Sequence, residues 1–276
     1  MIDIGQALKQ ACFLIGSPIE AEILLSWILK KNRAYLFSHP EALLDHLQWE
    51  NYLLSLHQRA EGKPIAYIMG IREFWSLSLQ VNQHTLIPRH ETEQLVELAL
   101  EFIPNGKDIQ VLDLGTGSGA IALALATERP NWNIDACDIS AEALKIAKAN
   151  AKTHQINNVS FYQSDWFKKI PCKRYHAILT NPPYLSEKDP HLSQGDLSYE
   201  PKIALKSGQD GLCDLHYIIA HSIHFLRANG LLLLEHGYQQ EQAISTILNK
   251  TGFQNRHCWQ DFQGHDRISG GWFPGP

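Results

Sequence analysis

The segment Asn181-Pro182-Pro183-Tyr184 is the part of this chain best equipped for chemistry. Consecutive prolines stiffen the backbone and offer carbonyl oxygens without competing N–H groups, and Asn181 adds a side-chain acceptor. Two such acceptors can take both hydrogens of a planar NH2 group. The nitrogen lone pair, otherwise delocalised, can then face an electrophilic methyl, and the acceptors favour the positive charge that develops on nitrogen. Positioning carries most of the catalysis and no strong base is required. Tyr184 can pack on the planar group and shape the pocket. The plainer alternative is a proline turn that merely ends a strand.

A second group of residues suits a nucleoside-containing cofactor. Val111-Leu112-Asp113-Leu114 runs into Gly115-Thr116-Gly117-Ser118-Gly119 and then an alanine-rich helical pattern. Glycines permit a sharp strand-to-helix turn and close approach of a ligand, while the helix start presents free N–H groups. Asp138, after the next strand pattern, is placed to accept from ribose hydroxyls. Ser164-Asp165-Trp166 then offers an acceptor for an adenine amino group and an aromatic surface, although Trp166 could equally be core.

Gly115, Gly117 and Ala120 also satisfy the dinucleotide fingerprint, so a nicotinamide dehydrogenase is a rival. It leaves Asn181 to Tyr184 unexplained. A methyltransferase for exocyclic amino groups of adenine or guanine would use the same acceptor geometry on a flipped base. A non-enzymatic, cofactor-binding scaffold is the third alternative.

These residues need a framework, and the periodicity supplies one. Residues 1 to about 62 read as helices: an apolar stripe from Ala7 to Leu14, a capping box at Ser17-Pro18-Ile19-Glu20, and a long pattern from Pro40 to Glu61. Alternation at Leu77, Leu79 and Val81 predicts a strand, turning at Asn82-Gln83-His84 and returning through Leu86-Ile87-Pro88. Beyond it, strands at 109–114, 133–137, 159–163, 176–180 and 231–234 alternate with helices at 92–102, 119–128 and 141–153. The expected fold is α/β, with a largely parallel Rossmann-like sheet covered on both faces. A last helix near 240–250 precedes strands at 254–260 and 267–270. The boundaries fall at 1–72 for a helical domain, 73–90 for a β-hairpin linker and 91–276 for the α/β domain.

Composition narrows the classes. The 276 residues are 44% hydrophobic and 19% charged with a net charge of -5, which suits a globular protein and gives no general positive field for nucleic acid. The five cysteines are scattered and never form Cys-x-x-Cys, which fits a reducing cytoplasm. No signal peptide or membrane-spanning run is expected. His216, His221 and His224 share a predicted helix but lack a carboxylate or cysteine at ligand spacing, so no metal is expected.

The chain resembles the release factor glutamine methyltransferases almost end to end. The resemblance rests on Gly62 to Gly70 with Glu73-Phe74, Leu86 to Glu93, Asp113 to Gly119, Ser164 to Phe167 and Asn181 to Tyr184. Tyr199-Glu200-Pro201 with Ala204-Leu205, Asp210-Gly211-Leu212 and Asp261 to Arg267 extend it. It implies a class I methyltransferase domain of seven mostly parallel strands, with a helical N-terminal domain that docks the protein substrate.

The implied reaction moves a methyl from S-adenosylmethionine to the glutamine of a Gly-Gly-Gln motif in peptide chain release factors. The products are N5-methylglutamine and S-adenosylhomocysteine. Cofactor contact is implied for Gly115, Thr116, Gly117, Ser118, Gly119, Asp138, Trp166 and Asn181. Substrate contact and catalysis are implied for Asn181, Pro182, Pro183 and Tyr184. Asp113 and Asp165 are secondary cofactor candidates, and Arg89 and Glu91 either line the pocket mouth or form a surface ion pair. A monomer is expected, with no direct nucleic-acid or membrane contact.

Overall fold

The computed structural model describes residues 2–275. The chain divides into two compact units, Met1–Ile71 with Ser193–Tyr199, and Arg72–Leu192 with Glu200–Pro276. None of the described helices is long and apolar enough to cross a membrane.

The first unit contains α1 (Ile4–Ile15), α2 (Pro18–Leu29), α3 (Arg33–Ser38), α4 (His46–Ala60) and α5 (Ile65–Met69). Ile4, Ala7, Ala11, Leu24, Leu25, Tyr52 and Leu56 meet in its core. The long helix expected from Pro40 begins only at His46, because Asp45 accepts from Gln48 N at 2.8 Å and Gln48 accepts from Asp45 N at 3.0 Å. This reciprocal box restarts the helix after an irregular stretch. The box expected at Ser17 is half-made: Ser17 Oγ accepts from Glu20 N at 3.4 Å, but the Glu20 carboxylate accepts from Arg59 instead, at 2.7 and 2.8 Å. Arg59 also reaches Asp196 at 2.9 Å, and Tyr199 donates to Glu61 O at 2.5 Å. Through these bonds Ser193–Tyr199 joins the helical unit, a membership that periodicity cannot signal.

At the boundary, β1 (Ile71–Phe74) leads into the second unit and pairs with β2 (Leu77–Gln80) in a two-stranded sheet. The hairpin is therefore earlier than the sequence suggested. The turn is Trp75-Ser76, with φ of 50° and 62°, and residues 82–88 form no returning strand. Two positive φ values match the twist of a tight hairpin. Glu93 supports the unusual Trp75 conformation by accepting from its N–H at 2.9 Å.

Next come α6 (Glu93–Phe102), β3 (Gln110–Leu114), α7 (Ala120–Glu128), β4 (Asn133–Asp138), α8 (Ala141–Thr153), β5 (Val159–Gln163) and β6 (Tyr175–Thr180). The chain finishes with α9 (Cys213–Ser222), β7 (Leu226–Glu235), α10 (Glu241–Lys250), β8 (Gln254–Gln260) and β9 (Asp266–Phe273). The sheet order is β5-β4-β3-β6-β7-β9-β8; β3 to β7 pair in parallel and β9 runs antiparallel to both neighbours. Successive strand residues feed opposite cores. Val111, Ala177, Leu179, Leu231 and Leu233 pack with α6 and α7, whereas Leu112, Leu114, Ile178, Leu232 and Leu234 pack with α9 and α10. Burial on both faces explains the continuous apolar runs. His224 falls beyond α9, and no cluster of metal-ligating side chains exists among the described residues.

Candidate active site

The carboxyl ends of β3, β4 and β6 converge on one edge of the sheet, where open α/β folds place their ligands. From β3 the chain turns through Gly115, Gly117 and Gly119, with φ of 73°, 56° and 89°. A side chain at any of the three would be strained in this left-handed region. At Gly119 an added Cβ would also lie 3.0 Å from Leu123, so this glycine lets α7 start against its own neighbours.

The loop is tied to β4. Gly115 N and Thr116 N both donate to Cys137 O at 2.9 Å, and Gly117 N donates to Asp138 Oδ2 at 2.9 Å. Asp138 Oδ1 accepts from Ser140 N at 2.9 Å. Burial pushes the Asp138 carboxyl above the usual carboxylate range, against the lowering effect of these backbone donors. The two backbone bonds fix the carboxylate while leaving each oxygen a further lone pair for ligand hydroxyls.

Trp166 stands over the loop at a positive φ of 47°, and an added Gly115 Cβ would meet its ring at 3.3 Å. Its indole N–H donates to Asp214 at 2.9 Å, which holds the ring in place. Asp165 pairs with Lys168 at 2.6 Å.

At the end of β6, Thr180 donates to Leu114 O at 2.8 Å and anchors the next residue, Asn181, to the neighbouring strand. The Asn181 Nδ2 donates to Thr92 Oγ1 at 3.0 Å, and Thr92 donates to Glu235 Oε2 at 2.6 Å. Tyr184 donates to Glu235 Oε1 at 3.3 Å. Burial raises the Glu235 carboxyl to about 7 and also raises the Tyr184 phenol. The corner is held from its far side as well. Gln240 donates to Tyr184 O at 3.0 Å, Leu185 N donates to Leu205 O at 2.9 Å, and Ser207 N donates to Leu185 O at 2.9 Å.

One cleft, open to solvent, is lined by Gly115, Gly117, Asp138, Trp166, Asn181 and Pro183, together with Ser164 and Asp165. Five other sequence-predicted residues stand behind this lining. Thr116 donates to Asp113 at 2.6 Å, the Ser118 carbonyl accepts from Asn150 at 2.9 Å, and Gly119 starts α7. Pro182 is buried, and Tyr184 packs on the core beneath β6 and β7.

Asp113 does not line the cleft: it is fully buried, and its Oδ2 accepts from Thr116 and, at 3.2 Å, from Ala122 N. Arg89 pairs with buried Glu200, not with Glu91, and Glu200 also accepts from Ile87 N at 3.1 Å.

Sequence reasoning missed Ile139, Ile203, Lys206 and Asp214 in the lining, and the pair Thr92 and Glu235 behind Asn181. Glu235 carried a legible signal: a carboxylate directly after the apolar run Leu231–Leu234 at the ligand edge of a parallel strand. Ile139 and Lys206 lie between regular elements, Thr92 and Ile203 sit in short 3-10 turns and Asp214 opens α9, and no sequence pattern aims any of them at the cleft.

This strand order, with a glycine loop and a rigid Asn-Pro-Pro corner at the same sheet edge, defines a class I methyltransferase. Comparison with known proteins agrees. The family described as "Methyltransferase small domain" matches residues 88–196, and the "PrmC N-terminal domain" matches residues 5–70. A methyltransferase from Pyrococcus furiosus has a related fold, with a TM-score of 0.55 at 16% identity over 80% of this chain and 98% of that one. The release factor glutamine methyltransferase of Coxiella burnetii is 47% identical over 97% of this chain and 98% of its own length. That of Shewanella oneidensis is 45% identical over 97% and 95%. The chain belongs to the release factor glutamine methyltransferase family.

Proposed function

We propose that this protein methylates the side-chain amide of the glutamine in the Gly-Gly-Gln motif of peptide chain release factors, using S-adenosylmethionine. The products are N5-methylglutamine and S-adenosylhomocysteine. The observation that carries this reading is Asn181, whose amide N–H is committed to Thr92, so that its oxygen remains as an acceptor at the wall of the glycine-loop cleft.

The cleft fits such a cofactor. Gly115 to Gly119 form a backbone cradle, Asp138 holds two braced oxygens for ribose hydroxyls, and Trp166 gives a flat surface beside Gly115. When bound, S-adenosylmethionine supplies an electrophilic methyl on a sulfonium centre. Asn181 Oδ1 and a backbone carbonyl of the Pro182-Pro183 corner accept the two hydrogens of the substrate amide, the two prolines keep the corner stiff, and Tyr184 shapes its base. Fixing both hydrogens turns the nitrogen lone pair toward the methyl and stabilises the charge that develops there. The proton of the methylated nitrogen then becomes acidic and passes to solvent.

The net charge of -5 favours a protein over a nucleic-acid substrate. Acting on release factors, the enzyme works in the cytoplasm, and a monomer suffices because one chain supplies every residue named. The test is mass spectrometry of a bacterial release factor incubated with this protein and S-adenosylmethionine. A gain of one methyl on the Gly-Gly-Gln glutamine is expected, and none when that residue is asparagine. Methylation of adenine or guanine in added nucleic acid, with the release factor unchanged, overturns the proposal.

A further inference from the structure

We propose that Thr92 and Glu235 are positioning residues that fix which way the Asn181 amide faces, and so determine whether its oxygen or its NH2 meets the substrate. The inference rests on the reading of Asn181 as the acceptor for a substrate amide and adds the reason why it can act as one.

An asparagine amide is nearly symmetric in shape but opposite in polarity at its two ends. Turned by 180°, Asn181 would point its own NH2 at the substrate NH2, and two donors would face each other. Local backbone geometry does not prevent that rotation, so a hydrogen-bond partner must. Thr92 alone is insufficient, because a hydroxyl can donate or accept with equal ease.

Glu235 removes the ambiguity. Burial raises the Glu235 carboxyl to about 7, and in its ionised form, dominant above that pH, it only accepts, so its 2.6 Å bond to Thr92 claims the single hydroxyl proton. Thr92 then has only lone pairs to offer Asn181, and the 3.0 Å contact must come from the Asn181 NH2. The Asn181 oxygen makes no hydrogen bond to another of the described residues and is left for the substrate. Three elements far apart in sequence build this series. Thr92 lies at the end of a short 3-10 turn before α6, Asn181 follows β6, and Glu235 ends β7. Thr92 and Glu235 are 4% and 1% exposed, so water does not compete for either bond. Arg267, Tyr184 and Glu91 are the other ionisable groups that act on Glu235. Tyr184 bonds its second oxygen, which ties the floor of the corner to the same carboxylate.

The test compares Thr92→Val, which keeps the shape and removes the hydroxyl, with Thr92→Ser, which keeps the hydroxyl. In Thr92→Val, kcat for release-factor methylation is expected to fall about 100-fold, the loss typical of a misplaced transition-state partner. KM for the release factor and Kd for S-adenosylmethionine stay within about threefold. Thr92→Ser restores kcat to within about threefold of the parent. Glu235→Gln, which can turn either its oxygen or its NH2 to Thr92, falls between the two.

Nuclear magnetic resonance of the Asn181 side-chain NH2 gives a readout independent of turnover. Hydrogen exchange should be slow in the parent and in Thr92→Ser, and fast in Thr92→Val. A Thr92→Val enzyme with unchanged kcat, a Thr92→Ser enzyme as impaired as Thr92→Val, or an Asn181 NH2 equally protected in all three overturns the inference. If the parent methylates no release factor, the exchange measurement still decides the orientation of Asn181, and only the substrate assignment fails.

Discussion

Gly117 N donates to Asp138 Oδ2 at 2.9 Å, so the residue proposed to hold the ribose also holds the loop proposed to cradle the rest of the cofactor. The two jobs are coupled through one carboxylate. Asp138→Ala should weaken S-adenosylmethionine binding by about 100-fold and lower stability by about 1–3 kcal/mol, since Gly117 and Ser140 lose a shared acceptor. Asp138→Asn, which keeps one acceptor oxygen, should fall between. Calorimetric binding and thermal melting measure the two effects separately.

Asn181→Ala should leave the melting temperature and cofactor affinity nearly unchanged and lower kcat by about 100-fold or more. Among the described residues its side chain hydrogen-bonds to Thr92 alone, so the structural loss is small. Single-turnover methylation with saturating cofactor is the measurement. Activity within tenfold of the parent would remove Asn181 from the reaction.

Gly211 is required by its neighbour Tyr184. At φ 79° a Cβ on residue 211 would lie 2.2 Å from the Tyr184 carbonyl oxygen, which itself accepts from Gln240 at 3.0 Å. Gly211→Ala must displace the proline corner. We expect a kcat loss exceeding about tenfold and a destabilisation of about 1–3 kcal/mol. Gly16→Ala, a glycine at similar φ with open space around it, should cost stability alone.

Arg59 ties Ser193–Tyr199 to the helical unit by donating to Glu20 and Asp196 from a half-buried position. Arg59→Ala should raise hydrogen exchange across 193–199 while α6 to α10 keep their protection. The expected loss of stability is about 1–3 kcal/mol, because Glu20 and Asp196 lose a charge-assisted partner.

Asp113 gives the stability a pH dependence. Burial raises its carboxyl from 3.8 to about 7, against the lowering bonds from Thr116 and Ala122. Between these two values the folded protein holds a proton that the unfolded chain has lost. Stability contributed by this group is therefore greatest below about 4 and falls as pH rises toward 7. Asp113→Asn removes the slope, so its stability relative to the parent should improve between pH 5 and pH 7 (about 300 K, dilute buffer). Denaturant titrations at several pH values check the sign.

The class of fold, the glycine loop, Asp138 and the proline corner were all legible in the chain itself. Alternating apolar runs with helical periods between them dictate a covered parallel sheet, and Gly115, Gly117 and Asn181 mark by residue type alone the edge where the cleft lies. What depended on partners distant in sequence was not legible. The hairpin turned at Trp75-Ser76 because Glu93 supports a backbone that no propensity favours. Glu20 abandoned its cap for Arg59, and Arg89 chose Glu200 over Glu91. Local patterns register the period of a segment, whereas a buried carboxylate is committed by whichever donor the packed chain delivers to it. Only the tertiary structure brought Thr92 and Glu235 behind Asn181, because three strand and helix ends separated by up to 143 residues meet at that one sheet edge.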